Sequence, residues 1–254
     1  MEPEPFPDGG AIVIGGSGGI GRVICQRLAQ HGADVALSYR SSADGAAEAR
    51  ALVESAGRRA LSAPLDLGDG AAVGEFLDRV VSTFGRIHTV VFAAGVDIPM
   101  VYVGEIDEHD WARTLEGELT GFYHVIRAAL PRMREQGGSL VAVTSAGIRR
   151  HPPLDVLSTV PKAGVEALIR AVAREEGRFG IRANAVALGV VDAGHFHRVA
   201  EQLTPEFVEA IKRNTAVRRL GTAREAADAV VFLASSASSY TTGQSLAVDG
   251  GYSV

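Results

Sequence analysis

Cysteine occurs once in the 254 residues, at Cys25, so no disulfide can form within the chain. A secreted scaffold held together by intrachain disulfides is thereby excluded. Aromatic residues make up 6% of the sequence against 46% hydrophobic residues overall. The apolar content is largely Ala and Val, which suits strands covered by helices on both faces. An excess of positive charge is also missing. The net charge of -5 argues against a binder of phosphate backbones, and no nucleic-acid partner is expected. Arg149, Arg150 and His151 form a short basic cluster that reads as a solvated loop. No apolar run reaches membrane-spanning length, and no charged-then-apolar signal segment opens the sequence. The expectation is a cytoplasmic protein with no membrane partner.

Glycine, by contrast, is plentiful, with 30 residues, and its most informative cluster follows an apolar run: Ala11-Ile12-Val13-Ile14-Gly15-Gly16-Ser17-Gly18-Gly19-Ile20-Gly21. The pattern is strand, tight turn, helix. A helix N-terminus presents unpaired N–H groups and the positive end of the helix dipole, which together attract phosphate. Glycines let the backbone turn sharply and approach a ligand. The segment therefore predicts a dinucleotide pyrophosphate seated on a helix that begins near Gly19.

Strands and helices alternate onward to the C-terminus. Strands are expected over 34–39, 60–65, 88–93, 140–143, 181–187 and 244–248. Helices are expected over 43–56, about 110–135, 161–179 and 205–213, with further apolar-periodic stretches around Val73–Phe84 and Ala226–Leu233. Residues 1–9 read as a loose tail. Residues 10–254 read as one domain, with a lid near 190–215 that holds His195, Phe196 and His197. The fold class is α/β: a single Rossmann-like, doubly wound parallel sheet of about seven strands with helices on both faces. Ligands bind such sheets beyond the carboxyl ends of the strands. No metal is expected, because no third ligand stands near His195 and His197 at a sensible spacing.

The end of the second strand bears on the nucleotide. A carboxylate there holds the ribose 2′-hydroxyl of NAD, and an Arg accommodates the 2′-phosphate of NADP. Here the strand ends Ser38-Tyr39-Arg40-Ser41-Ser42, with no carboxylate before Asp44. Arg40 and Ser41 therefore point to NADP(H). Asp66 is placed either to accept from the adenine amino group or to cap the following helix.

Taken together, these motifs resemble those of the short-chain dehydrogenase/reductase family over nearly the whole chain. Gly15, Gly19 and Gly21 match the family's glycine motif, with Ile14 in place of its Thr. Phe92-Ala93-Ala94-Gly95 matches Asn-Asn-Ala-Gly with both Asn lost. Ser145 matches the strand-end Ser, and Lys162 the helix Lys. Asn184-Ala185-Val186-Ala187-Leu188-Gly189 matches Asn-x-Val-x-Pro-Gly with Leu188 for Pro. The resemblance implies a cofactor site of Gly15, Ser17, Gly18, Gly19, Ile20, Gly21, Arg40, Ser41, Asp66, Leu67, Ala94, Gly95, Lys162, Gly189 and Val191. It also implies a homotetramer.

The resemblance breaks at the chemistry. The family's Tyr, four residues before the Lys, falls at Ser158, its helix Asn at Glu118, and its nicotinamide-contacting Thr at Ala193. A bacterial enoyl-thioester reductase branch that is similar from Ser145 to Lys162 places its Tyr seven residues before the Lys, where this sequence has Asp155. Serine is too weak an acid to replace a phenol. The resemblance thus implies Ser145, Lys162, Ser158 and Asp155 as the catalytic set, and three functions follow. The first is reduction of an activated C=C bond in a small-molecule substrate such as an enoyl thioester, with Ser145, Ser158 or a water on Lys162 stabilising an enolate. The proton would come from Asp155, His151 or solvent. The second is carbonyl or imine reduction with a substitute donor, Tyr102 or Tyr123, and with Glu118 pairing with Lys162 or relaying protons. The third is a non-redox role as a cofactor-holding protein or cyclisation scaffold. Asp155 reads more readily as a surface loop carboxylate than as an acid, and Tyr123 as packed between helices.

Overall fold

The computed structural model describes residues 6–254, the side chain of His195 excepted. Its strands are β1 Gly10–Ile14, β2 Asp34–Tyr39, β3 Ala60–Pro64, β4 Ile87–Phe92, β5 Gly138–Ser145, β6 Ile181–Leu188 and β7 Ser245–Val248. They form one parallel sheet in the order β3-β2-β1-β4-β5-β6-β7. The helices are α1 Gly19–Gln30, α2 Ala43–Ser55, α3 Gly70–Phe84, α4 Glu108–Thr114, α5 Gly121–Met133, α6 Gly147–Arg150, α7 Val156–Glu176, α8 His195–Ala200, α9 Pro205–Arg213 and α10 Ala223–Ala234. Between α4 and α5 the helix runs on through Leu115–Thr120 as a widened π-helical segment. The expected helix over 110–135 therefore starts earlier and is not a regular α-helix throughout.

The two faces of the sheet follow from the period of two along a strand. Ile12 and Ile14, Val90 and Phe92, and Leu140 and Ala142 point to one layer, where α3, α5 and α7 pack around Phe76, Phe122 and Ile169. Ala11 and Val13, Val35 and Leu37, Val91 and Val141 point to the other, against Ile24, Leu28 and Val230 of α1 and α10. Cys25 is buried in this second layer, and burial pushes its thiol up, as fits a small packing residue.

Residues 1–5 of the expected tail lie outside the described residues. From Phe6 onward the tail is not loose: Phe6 is buried, its ring stacked 5.4 Å from His88. Among the described residues no helix is long and apolar enough to cross a membrane.

The chain order reverses between β1 and β4. The connections leaving those two strands run in opposite directions, and a crevice opens at their carboxyl ends. Every element that carries a candidate site residue ends or begins there.

Candidate active site

The crevice is a cleft of about 2190 Å3. Pockets for drug-sized ligands run to about 1,000 Å3, so this one has room for a dinucleotide and a second small molecule. Gly15, Ser17, Gly18, Gly19, Ile20, Gly21, Arg40, Ser41, Asp66, Leu67, Ala94, Gly95, Lys162 and Gly189 line it. Val191 does not. It is buried and bridged to Gly221, between Gly189 and Asp192, which do line the cleft.

The glycine loop is shaped as a cradle. Gly15 turns at φ +80, and a Cβ there would sit 2.7 Å from Cα of Ala94. A Cβ on Gly19, the first residue of α1, would sit 2.6 Å from the amide nitrogen of Gly194. Backbone N–H groups at the start of α1 thus face the cleft with no side chain between them and a ligand, which is what a pyrophosphate requires.

At the far end, Arg40 is exposed and makes no hydrogen bond or ion pair among the described residues. Arg22 also lines the cleft, but its guanidinium is taken up by Glu48. Asp44 lies in the first turn of α2. The two readings of Asp66 separate here. Asp69 caps α3, accepting from the amides of Ala71 at 2.9 Å and Ala72 at 3.1 Å, whereas Asp66 accepts only from Gly68. The capping role belongs to Asp69, and Asp66 stays at the cleft wall. Leu67 is held by the Nδ1 of His124, which donates to its carbonyl at 2.8 Å. Nothing in the spacing of the sequence marks His124.

Asp155, Ser158 and Lys162 stand at i, i+3 and i+7 along the start of α7, hence on one helix face. Ser145, at the end of β5, accepts from the amide of Gly147 at 3.0 Å. A Cβ on Gly147 would touch both Ser145 Oγ and Asp155 Oδ2 at 3.0 Å, so the two side chains face each other across that glycine. Ser145, Ser158 and Lys162 line the cleft, and Asp155 stands half-buried beside Ser145 and Ser158. Asp155 is not a surface carboxylate. Burial pushes its pKa up to about 6, against the pull of the Lys162 ammonium and the Ser158 hydroxyl.

Lys162 Nζ lies 2.7 Å from Glu118 Oε2, and the other oxygen of Glu118 accepts from the amide of Val96 at 3.1 Å. Glu118 is 2% exposed.

The alternative proton donors fare differently. Tyr102 is 62% exposed and Tyr123 47%, and neither lines the cleft. Tyr123 is on the helix surface, not packed between helices. His151 is exposed and also off the cleft wall. Arg149 and Arg150 are not a free basic loop: they donate to the carbonyls of Ser245 and Tyr252, each at 3.1 Å. This holds the 147–155 loop against the C-terminal strand and turn.

The lid expected near 190–215 contains α8 and α9. Arg198 is 2.6 Å from Asp97 across the cleft mouth, and the Met100 amide donates to Gln202 at 3.2 Å. His197 pairs with Asp192 at 2.9 Å, and the side chain of His195 lies outside the described residues.

Residues 15–253 match a family model described as Enoyl-(Acyl carrier protein) reductase. The chain is 36% identical over 250 residues to an L-rhamnose 1-dehydrogenase (NAD(P)(+)) of a Sphingomonas species, with 94% of each chain covered. It is 31% identical over 242 residues to a 3-oxoacyl-[acyl-carrier-protein] reductase of Chlamydia muridarum, covering 95% of this chain and 96% of that one. Among solved structures, levodione reductase superposes with a TM-score of 0.93 at 30% identity, covering 98% of both chains.

Proposed function

The chain belongs to the short-chain dehydrogenase/reductase family and is an oxidoreductase of that type, and on that premise we propose that it is an NADP(H)-dependent reductase of activated C=C bonds, acting on an enoyl thioester or similar enone. The observation that carries this reading is the make-up of the cleft wall. It offers Ser145, Ser158 and Lys162 as donors toward one oxygen, while its tyrosine, Tyr39, ends β2 beside Arg40 at the other end of the cleft.

The nicotinamide, when bound, supplies the hydride. The residues then have separable roles. Ser145 and Ser158 donate hydrogen bonds to the carbonyl oxygen of the substrate, where negative charge develops as the β carbon is reduced. An enolate needs that stabilisation and takes its proton at carbon. An alkoxide would need an acid at the oxygen itself, and the hydroxyls that reach the oxygen are poor acids. Asp155 stands beside Ser158, and a carboxyl titrating at about 6 is well matched to delivering a proton to the enolate carbon near neutral pH through a water. Lys162 and the glycine cradle hold the cofactor. Arg40, exposed and without a partner among the described residues, supports NADP(H) over NAD(H).

Carbonyl reduction is the second reading. It is favoured by the relatives, which are named as an L-rhamnose 1-dehydrogenase and a 3-oxoacyl-[acyl-carrier-protein] reductase. NADPH consumption with enoyl thioesters, enones and 3-oxoacyl thioesters separates the two. The C=C reading requires turnover of the unsaturated substrates and little of the oxo compounds. The reverse pattern overturns it, and NADPH binding without turnover of any substrate points to the non-redox role. Lys162→Ala is expected to abolish NADPH binding or turnover.

The same reading makes the chain a cytoplasmic homotetramer. Exposed Tyr123 and Val160 on the α5–α7 side, and Phe232 and Leu246 on the α10–β7 side, support two interfaces. Light scattering on the purified protein tests it.

A further inference from the structure

An ionised carboxylate inside a protein is costly unless its lone pairs are met by donors and its charge by a cation. Glu118 meets both conditions, through the Val96 amide and the Lys162 ammonium. Its position is tightly specified. It lies in the π-helical segment Leu115–Thr120, a geometry that recurs at functional sites. Its neighbour Leu119 is wedged on α7, where a Cβ on Gly164 would lie 2.8 Å from a Leu119 methyl. Widening the helix at this point turns the carboxylate toward the start of α7, where Asp155, Ser158 and Lys162 share one face.

We propose that Glu118 is a positioning residue, which takes up the charge of Lys162 and so leaves Asp155 as the group holding the site's exchangeable proton. The inference rests on the reading of Asp155 as the acid. Two carboxylates here share one ammonium, and the geometry decides which of them keeps it. Glu118 is in direct contact at 2.7 Å. The Lys162 charge still favours ionised Asp155, while burial and the Glu118 charge oppose its ionisation.

The charged and titratable groups around Asp155 come from three elements. Lys162 lies on its own helix. Glu118 comes from the π-helical segment. Tyr252 comes from the C-terminal turn, where the Arg150 guanidinium sits 5.2 Å over its ring. Ser158 and Ser145 add hydroxyls. Burial and the Asp155 charge both push the Tyr252 phenol up, so it stays neutral while Asp155 titrates. Arg150 is common to the wild type and to every variant tested.

The test is a carboxyl-carbon NMR titration of Asp155 in the full-length protein labelled at Asp, with Asp155→Asn used to assign the resonance. In Glu118→Gln, Lys162 loses its near partner and its charge acts on Asp155 undiminished. The midpoint of Asp155 is expected to fall by about one pH unit, the lower end of what an unshared cation does to a nearby carboxyl. Glu118→Asp, which keeps the charge, is expected to lie nearer the wild type. Lys162→Met removes the ammonium and is expected to move the midpoint upward, which gives a second reading if Glu118→Gln does not fold. A midpoint unchanged in the Glu118→Gln protein overturns the proposal. So does an unchanged midpoint in Lys162→Met, where that variant has to stand in. The readout needs no turnover, so it separates from the catalytic reading: full activity of Asp155→Asn would sink the acid role and leave the titration result standing.

Discussion

Gly19 and Gly194 meet backbone to backbone. The first residue of α1 and the start of the lid are packed so closely that a Cβ on Gly19 would lie 2.6 Å from the Gly194 nitrogen. The loop that would cradle a pyrophosphate is therefore also the seat of the lid. Gly19→Ala is expected to weaken NADPH binding about tenfold or more, since a misfit of about 1.4 kcal/mol is enough. It should lower the melting temperature only modestly, because the backbone that must give way is that of Gly194 at the start of the lid and not the core. Fluorescence titration with NADPH and a thermal scan check the pair of outcomes. Loss of binding together with a large loss of stability would mean that the glycine serves the fold and not the ligand.

Arg40 provides a second test at the other end of the cleft. A guanidinium on a 2′-phosphate is a charge-assisted contact of about 1.5–3 kcal/mol. Arg40→Glu is therefore expected to cost at least about tenfold in NADPH affinity. NADH affinity should hold or improve, because the new carboxylate can accept from a ribose hydroxyl. Equal loss for both cofactors would remove Arg40 from the discrimination.

Asp155 ties the site to stability. Its carboxyl titrates at about 6 in the fold against an ordinary 3.8. Between those values the folded state holds a proton that the unfolded chain has released. Its contribution to stability is thus fully present below 3.8 and is lost as pH rises through 6. A gap of this size is worth about 3 kcal/mol. Asp155→Asn is expected to show a flatter stability curve from pH 5 to pH 8 and to be the more stable protein at pH 8. Urea unfolding of both proteins across that range checks this, and parallel curves would contradict it.

Thr222 offers a control away from the cleft. Its hydroxyl accepts from the Glu225 amide at 3.2 Å while Glu225 Oε2 accepts from the Thr222 amide at 2.9 Å, closing a capping box on α10. Thr222→Ala is expected to cost about 1 kcal/mol, seen as a fall of about 2–4 °C in Tm, with NADPH binding intact. An unchanged Tm would mean that α10 is held by its packing on α1 alone.

Much of the local architecture could be read from the sequence. β2 spans 34–39 and α9 spans 205–213, both as their apolar patterns and caps indicate, and α1 begins at Gly19 inside the glycine cluster. Such features are legible because they depend on near neighbours: period, glycine, proline, caps. Boundaries slipped where a longer-range partner extended an element. β5 starts at Gly138 and ends at Ser145 because β6 pairs with it along that whole length. The long helix could not be read as widened between Leu115 and Thr120, since nothing in its periodicity marks a π-helical turn.

The site divides along the same line. The sequence by itself determined the glycine cradle and Arg40, because each lies within a few turns of chain, whereas α7 starts at Val156, ahead of the expected 161, and so puts Ser158 on a helix with Lys162. Only the tertiary structure decided that Asp155 is half-buried beside Ser158 rather than exposed on a loop. It chose, of the two roles the sequence offered Glu118, the pairing with Lys162, 44 residues away in sequence, and it buried Val191. The physical reason is that charge and desolvation act through space. Which residues share a low-dielectric corner is set by the order of strands in the sheet and by how helices pack on it, and no local pattern records either.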